Sequence, residues 1–177
     1  MSKQIVSGVL LLNKTIGISS HSALAQAKRL FMSADFDSKK AGHTGTLDPM
    51  ATGLLPICLG EATKFSSFGL DADKGYTAVI KLGEQTDTGD KEGQVIAQKA
   101  VPTFDRRALD EIANSLMGEQ LQTPPMYSAL KKDGKKLYEY ARDGIEIERE
   151  SRLIVIHHLA LTKLSDNEIA LDVICSK

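Results

Sequence analysis

Apolar residues fall in short runs separated by turn formers, and the spacing changes from run to run. Gly8–Lys14, "GVLLLNK", reads as a buried strand that stops at the turn residues of "TIGISS". Ser19 or Ser20 can then cap a helix, with Ala23, Leu24, Ala27, Leu30 and Phe31 recurring on one face. A polar loop, "MSADFDSKK", follows. The run "LLPICLG" is short enough for a strand, and Pro56 within it favours an edge or a bulge. Glu61–Leu70 reads as a short helix, and Tyr76–Gly83, "YTAVIKLG", as a strand rich in β-branched residues.

The second half continues the mixture. "QVIAQKAV" is a strand closed by Pro102, and Thr103 or Asp105 starts a helix with an apolar stripe at Leu109, Ile112, Ala113 and Leu116. Gly118 supplies its stop. A Lys-Asp-Gly turn leads into "KKLYEYARDG", a short helix ended at Gly144. "IEIERE" alternates as a strand does, "RLIVIHHLALTKL" is a long apolar strand, and a turn at Ser165–Asn167 leads into "EIALDVICSK". There is no regular βαβα rhythm and no internal repeat. The pattern predicts an α+β fold, a mixed and largely antiparallel sheet with helices packed against it.

At 177 residues, 42% hydrophobic and 25% charged, the chain suits one globular domain. Cys58 and Cys175 are far apart, which argues against a disulfide framework or a zinc site and fits a reducing cytoplasm. No apolar run reaches the roughly 20 residues of a membrane span, and the N-terminus does not read as a signal peptide. The last strand is still apolar when the chain stops at Lys177, which reads as truncation.

A net charge of −1 does not by itself recommend a nucleic-acid partner, but the charge is uneven. Met126–Arg142 sets five basic residues (Lys131, Lys132, Lys135, Lys136 and Arg142) against two acids, with Tyr127, Tyr138 and Tyr140 interleaved. Such a stretch can grip a phosphate backbone, or can be no more than a solvated hairpin and helix.

Chemistry concentrates in Ala41–Leu55, "AGHTGTLDPMATGLL", with three glycines, three threonines, His43 and a single carboxylate, Asp48. Pro49 biases Asp48 toward extended backbone. An aspartate there is commonly a turn former. With glycines that let a ligand approach and no second acid or base in the segment, it can also do nucleophilic or electrostatic work. The loop lacks the glycine-lysine-hydroxyl run of a phosphate loop. "HTGTLD" shares a "TGTL" string with aspartyl-phosphate enzymes, but Gly42 and His43 stand where their nucleophile would be. "DTG" at Asp87–Gly89 reads as an acidic loop. His43 has no metal-binding partners nearby. His157 and His158 lie in an apolar strand and read as structural. Tyr76 opens a strand and offers a face on which a base can stack. Lys64 can meet a phosphate or be solvated.

The strings "GVLLLNKTIGISS", "AGHTGTLDPMATGLLPICLGEATKF", "DKGYTAVIKLGEQTDTGD", "PPMYSALKKDGKKLYEYAR" and "VICSK" together resemble the TruB family of tRNA pseudouridine synthases, from near Gly8 to the last residue. The resemblance implies a pseudouridine synthase fold, with residues 1–177 as the N-terminal part of the catalytic domain. It implies isomerisation of uridine-55 in the T-arm loop of tRNA, with Asp48 catalytic and His43 and Tyr76 meeting the flipped nucleotide. Lys64, Lys131, Lys132, Lys135, Lys136 and Arg142 become contacts to tRNA. The expected partner is the T-arm stem-loop, bound by a cytoplasmic monomer with no cofactor, no metal and no membrane. The resemblance also implies an arginine partner for Asp48 beyond Lys177, with the rest of the catalytic domain and a small C-terminal RNA-binding domain.

Two other readings stay open. A non-catalytic RNA-binding or tRNA-folding module would keep His43, Tyr76 and the basic stretch without needing Asp48. A glycosidic hydrolase would need a second carboxylate near the first, and the motif loop has none. On the resemblance, the 177-residue chain incubated with unmodified tRNA is expected to form little or no pseudouridine; mapping the product checks this, and turnover near that of a complete family member contradicts it.

Overall fold

In the computed structural model, which describes residues 3–176, the chain divides between Ala72 and Asp73 into two units, each with its own sheet. The first unit contains β1 (Gln4–Ile5), β2 (Gly8–Lys14), α1 (Ser20–Leu30), β3 (Phe36–Asp37), β4 (Ala41–His43) and β5 (Gly53–Leu59), then a 3₁₀ turn (Gly60–Phe65) and α2 (Ser66–Asp71). β1 pairs in parallel with β3, and β2, β5 and β4 form an antiparallel sheet in that order. The 3₁₀ turn takes the first half of the helix expected over Glu61–Leu70. Thr63 Oγ1 donates to Gly60 O at 2.8 Å and Ser66 Oγ to Thr63 O at 2.9 Å, so hydroxyls on i−3 carbonyls tighten the turn.

β5 is therefore the central strand, not an edge, although it contains Pro56. Pro56 lies opposite Leu11 of β2, and its carbonyl accepts from Thr44 N–H at 3.1 Å, just past the end of β4. The N and O of a strand residue point to the same side. The missing proline donor therefore faces the place where β4 has already stopped, and little pairing is lost.

α1 begins where expected: Ser19 Oγ accepts from Ser22 N–H at 3.1 Å. Its inner face buries Ala23, Leu24 and Ala27, and Leu24 and Ala27 join Ile57 and Leu59 as the core of this unit. Leu10, Leu12, Phe31 and Ala41 pack around them. Two expectations are corrected here. Leu30 is 80% exposed and lies off the buried stripe. β2 is buried on one face only, because Val9 and Leu11 alternate outward while Leu10 and Leu12 turn to the core.

The second unit contains β6 (Lys74–Lys81), β7 (Glu84–Thr86), β8 (Val95–Gln98), α3 (Arg106–Ser115), β9 (Gly118–Gln122), β10 (Lys131–Lys132), β11 (Lys135–Lys136), α4 (Leu137–Arg142), β12 (Arg152–Lys163) and β13 (Glu168–Cys175). The main sheet runs β6-β13-β12-β9, antiparallel throughout, and β7 and β8 form a separate hairpin. Asp105 caps α3 by accepting from Ala108 N–H at 2.9 Å. Leu109 and Ala113 then pack on Leu161 and Ile169, with Leu159 and Leu171 on the same face of the sheet. Ile112 and Leu116, also expected on that stripe, are exposed.

Gly118, expected as a helix stop, is also the first residue of β9, with φ of +87°. β9 went unforeseen because Gly118–Gln122 carries a single large apolar residue, Leu121. It is a strand because β12 offers it an edge, from Arg152 opposite Gln122 to Ile156 opposite Gly118. "IEIERE" forms no strand despite its alternation. Ile145 N–H goes to Tyr140 O, at the end of α4, and Glu148 O accepts from the Lys132 ammonium, so these backbone groups pair outside any sheet. Lys177, which ends the "VICSK" string, lies outside the described residues.

Ile57 is fully buried. Ile57→Ala is expected to cost about 2–5 kcal/mol by the loss of buried methylenes and the cavity left behind. Leu30→Ala is expected to stay within about 0.5 kcal/mol. Urea unfolding of the two variants checks the pair; a Leu30 loss as large as the Ile57 loss contradicts the burial described.

Candidate active-site loop and basic stretch

The glycine-rich motif begins as a strand and ends as a strand. β4 carries His43 opposite Ile57, the chain leaves the sheet at Thr44, and β5 starts at Gly53. Asp48 lies in the excursion between them and is exposed. Asp48 O accepts from Ala51 N–H at 3.0 Å, closing a turn over Pro49 and Met50. Among the described residues the Asp48 carboxylate enters no ion pair.

Both sides of Asp48 are strapped to the start of α1 and the turn that precedes it. Before it, Leu47 N–H donates to Ser20 Oγ at 2.8 Å, and Ser20 Oγ donates to Leu47 O at 2.9 Å. After it, Pro49 O accepts from Gly17 N–H at 2.8 Å. Gly17 has φ of +89°, a conformation that favours glycine. The turn that holds Gly17 is itself tied by Lys14, which is 1% exposed and donates from Nζ to Thr15 O at 3.1 Å and Ile18 O at 2.9 Å. These two carbonyls offset part of the cost of burying an ammonium group. Lys14 was missed as a functional residue in the sequence. A lysine closing an apolar strand before a turn looks the same there whether it is solvated or buried.

Thr44 is buried, and α2 rests against it. A Cβ on Gly69 would sit 2.6 Å from the Thr44 Cβ, so this close approach requires glycine. Gly42 and Gly45 differ: a Cβ at either would meet nothing within 4 Å. Their small size serves no contact inside the protein and leaves the surface of the loop open. His43 Nδ1 is buried with no hydrogen-bond partner. Lys64, in the 3₁₀ turn, is exposed and paired with Glu61, which also meets Lys40 at 3.3 Å. Hydrogen bonds from Lys64 and then Lys40 hold the Glu61 carboxyl below the ordinary range. His43, Asp48 and Lys64 all belong to the first unit.

Tyr76 belongs to the second unit, in β6 opposite Val173. Partial burial, and then the neighbouring Cys175, push its phenol above the ordinary tyrosine value, so the hydroxyl keeps its proton and remains a donor. The basic residues of this unit are organised on tyrosines. β10 and β11 pair around Asp133 and Gly134, with φ of +53° and +82°, a tight hairpin turn. Lys136 N–H donates to Glu139 Oε2 at 2.8 Å and starts α4. Lys135 lies 4.7 Å from the Tyr140 ring centre, while Lys136 and Arg142 lie 5.3 and 5.1 Å from that of Tyr138. Lys135 also pairs with Asp143, and this hydrogen bond, more than anything else, raises its pKa. Lys132 reaches Glu148 O at 2.7 Å, and Lys131 is exposed. The acidic loop keeps its structural reading: Asp87 Oδ1 accepts from Gln94 N–H at 2.8 Å and Asp90 Oδ1 from Thr88 at 2.6 Å. His157 meets Asp73 at 3.3 Å where β12 shifts register.

Among the described residues no cluster of histidine, cysteine and carboxylate side chains could hold a metal ion, and no helix is long and apolar enough to cross a membrane.

Comparison with known proteins places this arrangement. Residues 33–177 match the family model described as TruB family pseudouridylate synthase (N terminal domain). The chain is 60% identical over 172 residues to tRNA pseudouridine synthase B of Psychrobacter cryohalolentis, covering 97% of this chain and 48% of that protein. It is 57% identical to the protein of the same name from Azoarcus sp., covering 99% and 56%, and 51% identical to that of Yersinia pestis, covering 97% and 51%. The chain thus spans about half the length of these relatives. Among solved structures, a chain of a Cbf5-Nop10-Gar1 complex has the same fold over 95% of this chain and 39% of its own, with a TM-score of 0.64 at 24% identity. A chain of an H/ACA RNP bound to a substrate RNA containing 2′-deoxyuridine matches with a TM-score of 0.60 at 21% identity, over 95% and 37%. With an α+β fold shared with these structures and a family model matched over 33–177, the chain belongs to the TruB family of pseudouridylate synthases, in the part described as the N-terminal domain.

Proposed function

We propose that the protein isomerises a uridine of tRNA to pseudouridine, at position 55 in the T-arm loop, with Asp48 as the catalytic group. The observation that carries the reading is the Asp48 loop: an exposed carboxylate tethered on both sides, in a chain 60% identical to a tRNA pseudouridine synthase B. The reaction breaks the N-glycosidic bond, turns the uracil and joins its C5 to C1′ of the same sugar. Every atom of the substrate is kept, so the reaction needs no oxidant and no second substrate. The carboxylate assists by attacking C1′, by attacking C6 of the base, or by taking the 2′ proton on a glycal route.

Each route needs the uridine out of its stack, which costs a few kcal/mol. His43, with its buried and unpartnered Nδ1, is read as the group that fills the space the base leaves. Tyr76 is read as the ring on which the extruded base rests, its phenol held neutral. Lys131, Lys132, Lys135, Lys136 and Arg142 are read as contacts to tRNA phosphates, and Lys64 as a further one. The tyrosine faces under Lys135, Lys136 and Arg142 hold these cations in place before RNA arrives, which lowers the entropy lost on binding. The reading includes a cytoplasmic enzyme that acts as a monomer on one stem-loop.

Asp48→Asn, in a full-length protein that carries these 177 residues, is expected to lower pseudouridine formation by about 100-fold or more while T-arm RNA still binds. Product mapping and an RNA-binding titration check it. Unchanged conversion contradicts the role of Asp48, and binding without any conversion in the unsubstituted protein favours an RNA-binding module. A combined Lys135→Ala, Lys136→Ala variant is expected to weaken RNA binding and flatten its dependence on salt, with a binding slope unchanged from the parent as the contrary result.

A further inference from the structure

Ser20 is buried at the first turn of α1, yet it is not spent on the helix: Ser19 is the cap, and Ser20 Oγ instead turns to Leu47. It takes the Leu47 N–H at 2.8 Å and gives its own proton to the Leu47 carbonyl at 2.9 Å. One hydroxyl thus occupies both backbone groups of a single residue, as a neighbouring strand would. Leu47 lies between β4 and β5, where no strand is present to do so. It is also the residue immediately before Asp48.

We propose that Ser20 is the positioning residue for Asp48. This rests on the reading of Asp48 as the catalytic group. By fixing the peptide groups on both sides of the Leu47 Cα, Ser20 fixes the direction in which the chain enters Asp48. The Gly17–Pro49 bond fixes the direction in which it leaves. Between these two points the carboxylate has only its own rotamers to explore, and it meets the reacting sugar or base without a search of loop conformations. Without the Ser20 hydroxyl, the Leu47 N–H and C=O lose their partner, and the partly buried loop must rearrange to satisfy them.

The test uses a full-length protein carrying these residues, with Ser20→Ala, Ser20→Thr, Asp48→Asn and, as control, Ser22→Ala at an exposed position of the same helix. Ser20→Ala is expected to lower kcat about 10- to 100-fold with KM for T-arm RNA within about twofold. It is expected to speed amide exchange at Leu47 while Ala27 in α1 and Ile57 in β5 keep their protection. Ser20→Thr, which keeps a hydroxyl, restores most of the loss, and Ser22→Ala leaves kcat unchanged. An unchanged kcat in Ser20→Ala overturns the proposal. So does loss of protection at Ala27 and Ile57 together with Leu47, which makes Ser20 a general support of the first unit. A threonine variant as impaired as the alanine one also overturns it. Full turnover in Asp48→Asn is a separate result: it removes the catalytic reading itself, whatever Ser20 does.

Discussion

The excursion between β4 and β5 leaves the sheet, yet the backbone groups flanking its carboxylate are not left to solvent. The short segment between β2 and α1, together with the first residue of that helix, supplies their partners: the Gly17 amide for Pro49 and the Ser20 hydroxyl for Leu47. That segment is in turn held by a buried lysine, since Lys14 Nζ reaches the carbonyls of Thr15 and Ile18 from inside the unit. The order of dependence therefore runs from the end of one strand, through a turn, to a carboxylate far along the chain. A local change at Lys14 or Gly17 acts on the geometry at Asp48 without touching it.

The core supports the same arrangement. β5 must be central for β4 and β2 to flank it, and it tolerates Pro56 there only because the proline faces the point where β4 has ended. Thr44 marks that point. It donates to the proline carbonyl, is buried under α2, and requires Gly69 to be glycine. The glycines of the first unit thus differ in what surrounds them. Gly42 and Gly45, in the motif, have open space beside them, whereas Gly69, in α2, is packed against Thr44.

Much of this was legible in the residues. Helix caps are local chemistry, and of the pairs the pattern offered, Ser19 or Ser20 and Thr103 or Asp105, the structure uses Ser19 and Asp105. The strands read in "RLIVIHHLALTKL" and "EIALDVICSK" are β12 and β13, on which Leu159, Leu161, Ile169 and Leu171 share one sheet face. The motif strings carried the family, which the family model matches. What stayed hidden depends on partners distant in sequence. Gly118–Gln122 becomes a strand because β12 offers it an edge, whereas "IEIERE" pairs with no strand and bonds instead to the end of α4 and to Lys132. Leu30 and Ile112 sit at helical spacing but just off the face that meets the sheet. Ser20 looked like one of two interchangeable caps; only the fold shows that one serine caps and the other reaches across 27 positions in the chain.

The basic face of the second unit follows a different logic from the loop. Its cations are exposed or half-exposed, and the tyrosines orient them rather than bury them. That suits an RNA backbone, which is gripped by charge and reads no sequence through it. On the proposed function, selection of one uridine falls to the loop and to the groups read as meeting the extruded base. The most direct test of this division is a structure of a full-length protein carrying these residues bound to T-arm RNA. The account predicts an extruded uridine with C1′ or C6 within about 3.5 Å of an Asp48 carboxylate oxygen. A uridine still stacked in its loop, or one held against a different carboxylate, would contradict it.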